Sequence, residues 1–271
     1  MTHVEPLAKS ALTESSAKSM TRNSDNSLDA FFARLDPDVR SQWAWDNYKP
    51  TIEALSRSFG LRRLIEIGGG RDPLFTPYEA AALDIELTIN DISQEELDNG
   101  PAEFSKACFD ISGNLAGTKV ERGAYDLAFS RMVFEHVKDG RRAWRNLNEI
   151  LAPGGVAIAF VPTLYALPYL ANIVIPEAVS QKIVKMLYPH RTDDEDPKFP
   201  AHYDWTYGSE KKLKPMLESV GFREAIVVPF YYHDYFESIP VVREIDNLAN
   251  RIAAARDWRF LTSYAYIAAR K

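Results

Sequence analysis

From Leu61 onward, short apolar runs alternate with stretches whose apolar residues recur every three or four positions. The run Leu64-Ile65-Glu66-Ile67, ended by Gly68-Gly69-Gly70, predicts a buried strand entering a tight loop where backbone approaches a ligand closely. Three later strand-like runs also carry a polar residue: LTIND ends at Asp91, CFDIS carries Asp110, and YDLAFS ends at Ser130. Helical stretches lie between them. Ser27 to Gly60 reads as helices, with Asp36-Pro37 as an N-cap and first-turn proline and Gly60 as a stop. Thr76-Pro77-Tyr78-Glu79 has the capping-box spacing, which starts a helix at Pro77, and Ser93-Gln94-Glu95-Glu96 repeats the signature. Ala143, Trp144, Leu147, Ile150 and Leu151 share one helical face, after which Pro153-Gly154-Gly155 turns the chain into the strand VAIAFV. Such alternation specifies parallel strands with right-handed crossovers, an α/β doubly wound fold. The carboxyl ends of its strands line one crevice, where residues distant in sequence converge.

The alternation breaks between Thr163 and Tyr207. Prolines, an apolar half and the acidic run Asp193-Asp194-Glu195-Asp196 predict an insertion over 164–206, after the fifth strand, that covers an acceptor pocket. Regularity resumes with a helix through Leu213, Met216, Leu217 and Val220, stopped by Gly221, then a strand from Ala225 to Tyr231. A last helix carries Val242, Ile245, Leu248 and Ile252, and the chain closes on the strand-like LTSYAYIAA. The expected organisation is a disordered tail over 1–26, a helical cap over 27–60 and one domain over 61–271.

Charge and composition narrow the partners. A net charge of -6 and no interleaving of basic with aromatic residues exclude nucleic-acid binding by phosphate neutralisation. Cys108 is the sole cysteine, so neither a disulfide framework nor a thiolate metal site can form, and a reducing cytoplasmic compartment is expected. The tail lacks the apolar core of a signal peptide. The stretch from Leu164 to Val179 is broken by Pro168, Asn172 and Pro176 and is shorter than the ~20 residues of a transmembrane segment. No spacing specifies a metal, and oligomeric state is left open.

The order of these parts resembles the class I S-adenosylmethionine-dependent methyltransferases, in their small-molecule branch. The resemblance spans Leu61 to Lys271 and rests on five motifs. These are Glu66-Ile67-Gly68-Gly69-Gly70, Asn90-Asp91-Ile92-Ser93, Phe109-Asp110-Ile111, Tyr125-Asp126-Leu127 through Phe134-Glu135-His136-Val137, and Leu151-Ala152-Pro153-Gly154-Gly155. It implies a seven-stranded, mostly parallel sheet with a final antiparallel hairpin, and S-adenosyl-L-methionine as cofactor. By this resemblance Gly68, Gly69 and Gly70 admit the aminocarboxypropyl end and Glu66 reaches its ammonium. Asp91, followed by Ile92, takes both ribose hydroxyls. Asp110 and Ile111 flank the adenine, and Ser130 and Arg131 line the methionine end. In one departure, Arg71-Asp72-Pro73-Leu74-Phe75 delays the next helix relative to the glycines, so Arg71 or its loop is a further candidate contact.

Asp126, at the start of its strand, reads as structural, and Trp43, Trp45 and Tyr48 as core. Methyl transfer from a sulfonium is an in-line displacement, helped by a base when the acceptor is a hydroxyl. The candidates are His136, after the fourth strand, and His233, beyond the sixth, with Asp234 orienting a neighbour. O-methylation of a small-molecule, glycan or lipid-linked acceptor is therefore expected. Two other readings stay open. One is a catalytically silent binding scaffold on this fold; the other is a nicotinamide-dependent oxidoreductase, against which the missing third glycine of G-x-G-x-x-G speaks.

Overall fold

A computed structural model describes residues 27–164, 200–233, 236 and 240–271. The expected tail, most of the insertion, its acidic run and Asp234 lie outside the described residues. Strands β1 (Arg63–Ile67), β2 (Glu86–Asp91), β3 (Ser105–Cys108), β4 (Tyr125–Arg131), β5 (Leu151–Pro162), β6 (Glu224–Phe230) and β7 (Tyr264–Arg270) form one sheet in the order β3-β2-β1-β4-β5-β7-β6. The pairs from β3 to β5 are parallel, and β7 runs antiparallel between β5 and β6. This is the seven-stranded, mostly parallel sheet with a final antiparallel hairpin that the resemblance implies.

Alternate residues of each central strand face opposite layers, as pleating requires. Leu64, Leu127, Phe129, Val156, Ile158 and Phe160 pack toward helices α1 (Leu28–Leu35) and α2 (Ser41–Phe59). Ile65, Ala128, Ala157, Ala159 and Val161 pack toward α5 (Gly140–Ile150) and α6 (Glu210–Ser219), with Trp144 and Leu217 fully buried between. Shorter helices α3 (Pro77–Ala82) and α4 (Gln94–Asp98) start where the capping residues predict. Thr76 accepts from the Glu79 amide while Glu79 returns the bond, and Ser93 accepts from Glu96.

Four local expectations are corrected. Asp36 does not open a helix: it closes α1 with left-handed backbone (φ 48°) and its amide donates to the Phe32 carbonyl, while Ser27 supplies the N-cap. An αL residue whose N–H satisfies a last-turn carbonyl is a helix terminator. Leu151 belongs to β5, not to the preceding helix, because its pairing with Tyr125 opens the β4–β5 ladder before a register shift that absorbs the Pro-Gly-Gly residues. Strand β3 spans 105–108, so Asp110 sits in the turn beyond it. Finally, helix α7 (Pro240–Ala255) turns the polar Asp246 and Asn250 inward and leaves Val242, Ile245, Leu248 and Ile252 outward, the reverse of ordinary amphipathic packing. Inside, Asn250 accepts from the Tyr232 amide (3.0 Å) and donates to Asp246 (2.9 Å), which ties the polar face inward.

Candidate functional site

Strand register brings the predicted residues to one level. Ile67 lies opposite Asn90 on one side and Ser130 on the other, and Asp91 opposite Cys108. The glycine loop, Asp91, the turn after β3 and the end of β4 therefore meet at the carboxyl edge of the central strands, the place where open α/β sheets hold ligands.

The loop is tight for stated reasons. Gly68 (φ 72°) and Gly70 (φ 47°) occupy left-handed backbone, and a Cβ on Gly68 would fall 2.5 Å from a Val133 methyl. A Cβ on Gly69 would meet Ile89 at 2.9 Å and the Glu66 side chain at 3.1 Å, and one on Gly70 would stand 3.1 Å from Asp91 Oδ2. The loop amide of Gly69 donates to the Asn90 carbonyl at 2.9 Å. Arg71 forms a two-pronged pair with Glu96 on α4 (2.5 and 2.6 Å), so it fastens the loop to α4 and its guanidinium is committed there.

Glu66 is 3% exposed. Burial lifts its carboxyl to about 7, against the opposing pull of the Leu74 amide, which donates to Oε2 at 2.8 Å, and of the more distant Arg131 and Lys49. The residues that delay α3 thus supply the partner that a buried carboxylate needs. Asp91 accepts from the Ser93 amide through Oδ1 (2.9 Å), and partial burial raises its carboxyl above the ordinary range. The side chain of Ile92 projects into solvent, 69% exposed. Asp110 accepts from the amide and hydroxyl of Ser112 (2.7 and 2.8 Å), so it builds the turn in which it sits. Ile111 is buried.

Ser130 is fully buried, and its Oγ has no hydrogen-bond partner among the described residues. An orphaned buried hydroxyl is a group that a ligand can satisfy. Arg131 is exposed beside it. His136 is also exposed, and its Nδ1 lies 3.1 Å from the Pro200 carbonyl. The neighbouring Glu135 is buried, which pushes its carboxyl up to about 8, and its Oε1 lies 3.8 Å from His136 Nε2. The His233 side chain is 3% exposed, and its Nε2 lies 3.4 Å from Asp246 Oδ1.

Three positioning residues escaped the sequence reading. The Asn90 amide donates to the carbonyls of Ala107 and Phe109 (both 2.9 Å), tying β2 to the end of β3. Asn146 donates to Ile111 and Gly113 (2.6 and 2.9 Å), and the buried Tyr48 hydroxyl donates to the Ser130 carbonyl at 2.6 Å. A polar residue within an apolar run was the available signal for Asn90. Asp126, by contrast, works at the opposite edge, where it accepts from the Arg63 amide (2.9 Å) and pairs with its guanidinium (2.8 Å). Among the described residues no group of three or more His, Cys, Asp or Glu side chains is placed to hold a metal ion, and no helix is long and apolar enough to cross a membrane.

No curated protein matches this sequence. The chain is similar to an S-adenosylmethionine dependent methyltransferase from Mesorhizobium loti, with 17% identity and a TM-score of 0.49 over 78% of this chain and 91% of the other. It is also similar to a SAM dependent methyltransferase from Archaeoglobus fulgidus (17% identity, TM-score 0.48, 85% and 99% covered). A third is phosphoethanolamine N-methyltransferase 2 of Haemonchus contortus (15%, TM-score 0.46, 83% and 52%). The family described as "Methyltransferase domain" matches residues 26–224, which hold the glycine loop, Asp91, the 110–113 turn and the end of β4. The chain therefore belongs to that methyltransferase family, in the class I group whose members use S-adenosylmethionine.

Proposed function

We propose that this enzyme transfers a methyl group from S-adenosylmethionine to a hydroxyl of a small molecule or of a glycan or lipid-linked acceptor. The observation that carries the cofactor assignment is the buried Glu66 carboxyl beneath a glycine cradle that side chains would fill. A cation beside Glu66 favours its ionised form, so binding of the cofactor's ammonium and loss of the Glu66 proton are coupled. The second oxygen of Asp91, beside Gly70, accepts from the ribose hydroxyls while the first stays with Ser93. The exposed Ile92 side chain offers an apolar face to the adenine, with Asp110 and the Ile111 backbone at its polar rim. Ser130 and Arg131 stand at the methionine end, and Arg71 acts by holding Gly70 against α4.

Bound there, S-adenosylmethionine supplies an electrophilic methyl on a sulfonium. The chain's part is to orient the acceptor and remove its proton. A carbonyl only accepts hydrogen bonds, so the contact with Pro200 places the His136 proton on Nδ1 and leaves Nε2 with the lone pair. His136 is the better base on exposure, because His233 is packed against Asp246. An imidazolium forming at His136 would face Glu135, 3.8 Å away, and the positive charge there favours the ionised form of that buried carboxyl.

The test is transfer of labelled methyl to panels of hydroxyl, amine and thiol acceptors. Wild-type enzyme is expected to label hydroxyls, and His136→Ala to slow turnover by roughly 10²-fold with S-adenosylhomocysteine affinity retained. Labelling confined to amines or thiols overturns O-methylation, and full turnover by His136→Ala removes it as the base.

A further inference from the structure

Helix α7 carries an apolar stripe on its solvent side. Val241 is 72%, Ile245 66% and Leu248 55% exposed, with Ile252 exposed in line with them. The four share one face of a helix of 16 residues, about 24 Å long at 1.5 Å per residue. The helix is not free to roll over and bury them, because Asp246 and Asn250 are tied inward to the Tyr232 backbone and His233. The apolar surface continues past the helix end. The Trp258 amide donates to the Ala253 carbonyl at 2.8 Å, and the exposed Trp258 ring stacks on the exposed Phe260 ring with centroids 5.9 Å apart. Both rings line a recess of about 490 Å³, whose other walls include Tyr207, Lys211, Lys212 and Arg259.

We propose that this face docks the enzyme on an anionic lipid surface, with the stripe and the two rings at the acyl boundary and a headgroup phosphate in the recess. Charge favours that partner. The whole chain carries -6, yet the acids of this face are committed within the protein. Glu244 pairs with Arg243 (3.1 Å), Asp257 pairs with Arg259 (2.9 Å), and Glu210 accepts from the Val227 amide (3.3 Å). Lys211, Arg251 and Arg256 are exposed and have no acidic partner among the described residues, and the Arg256 guanidinium lies 5.7 Å over the Trp258 ring. Uncompensated cations beside exposed Ile, Leu, Trp and Phe are the composition that seats a helix in the interface of an anionic bilayer. In α7 the protein itself covers the polar face, so the apolar one is left for the lipid. A second copy is the weaker occupant, because one helix face is well below the ~800 Å² per partner of a stable dimer.

The test is co-sedimentation of the full chain with vesicles of phosphatidylcholine alone and of phosphatidylcholine mixed with phosphatidylglycerol. The parent is expected to bind the mixed vesicles ~10-fold or more tightly than the neutral ones and to be released as salt rises. Ile245→Asp combined with Leu248→Asp is expected to weaken that binding ~10-fold or more, and Lys211→Glu combined with Arg251→Glu and Arg256→Glu by a similar factor. All five side chains are exposed, and an unchanged urea midpoint verifies the fold of each variant. Absence of sedimentation with the mixed vesicles overturns the proposal, and calorimetric binding of inorganic phosphate in that case assigns the recess to a free anion. Equal binding by parent and either combined variant also overturns it, because attachment then uses another face. So does a doubled mass by light scattering without vesicles that is lost in Ile245→Asp with Leu248→Asp, which assigns the stripe to a second copy.

Discussion

Replacing Glu66 by Gln tests how this fold holds a buried acid for its ligand. An ordinary glutamate releases its proton near 4.5, and in the folded chain Glu66 releases it near 7. Below pH 4.5 both folded and unfolded chains keep the proton, so the group adds no pH dependence. Between 4.5 and 7 the unfolded chain gives it up while the folded chain retains it, so stability falls as pH rises, and above 7 the loss is constant. At 1.36 kcal/mol per pH unit the gap amounts to roughly 3 kcal/mol. Glutamine keeps an oxygen for the Leu74 amide (2.8 Å in the parent) and removes the charge. The cofactor-free Glu66→Gln variant is therefore expected to be more stable than the parent at pH 8, by up to about 3 kcal/mol, and equal to it near pH 4.5. It should also bind S-adenosylmethionine more weakly, since the ammonium loses its counter-charge. Urea denaturation at a series of pH values, with calorimetric titration at pH 8, measures both. Glu135 shifts in the same direction, so the difference between parent and variant is the quantity to compare. A variant that is destabilised at pH 8, or that binds cofactor as tightly as the parent, refutes the reasoning.

Further expectations follow from the same geometry. Asp91→Ala should weaken S-adenosylhomocysteine binding by about 3 kcal/mol, as loss of a charged acceptor for two hydroxyls implies; calorimetry with unchanged affinity removes Asp91 from the site. Gly69→Ala, whose methyl meets Ile89 at 2.9 Å and Glu66 at 3.1 Å, should cost about 1–3 kcal/mol of stability by overpacking and weaken cofactor binding as Glu66 shifts. Trp144→Ala, cut from a fully buried ring between Phe134 and Phe222, should cost about 3–5 kcal/mol in urea denaturation with cofactor affinity retained below the transition.

What the sequence disclosed was whatever depends on near neighbours. The glycine loop, the two capping signatures and the strand-end acids are local patterns, and register then carries them to one edge. The errors arose where a residue's role depends on a distant one. Asp36-Pro37 has the composition of a helix start, yet the chain needed a left-handed stop there. Leu151 fits the helical face, yet β4 claims it for the sheet. The stripe on α7 has ordinary amphipathic spacing, and nothing local reveals that Asp246 and Asn250 draw the opposite face inward. In the site, the partners of the Glu66 carboxyl and the Ser130 backbone carbonyl come from Leu74 and Tyr48, and a bond between residues 48 and 130 leaves no trace in local periodicity.

The most direct measurement is calorimetric titration of the full chain with S-adenosylmethionine and S-adenosylhomocysteine, with NAD and NADP titrated into the same preparation. The expected result is binding of S-adenosylmethionine and S-adenosylhomocysteine alone, weakened by Asp91→Ala. Binding of a nicotinamide cofactor in their place, or of none of the four, contradicts it.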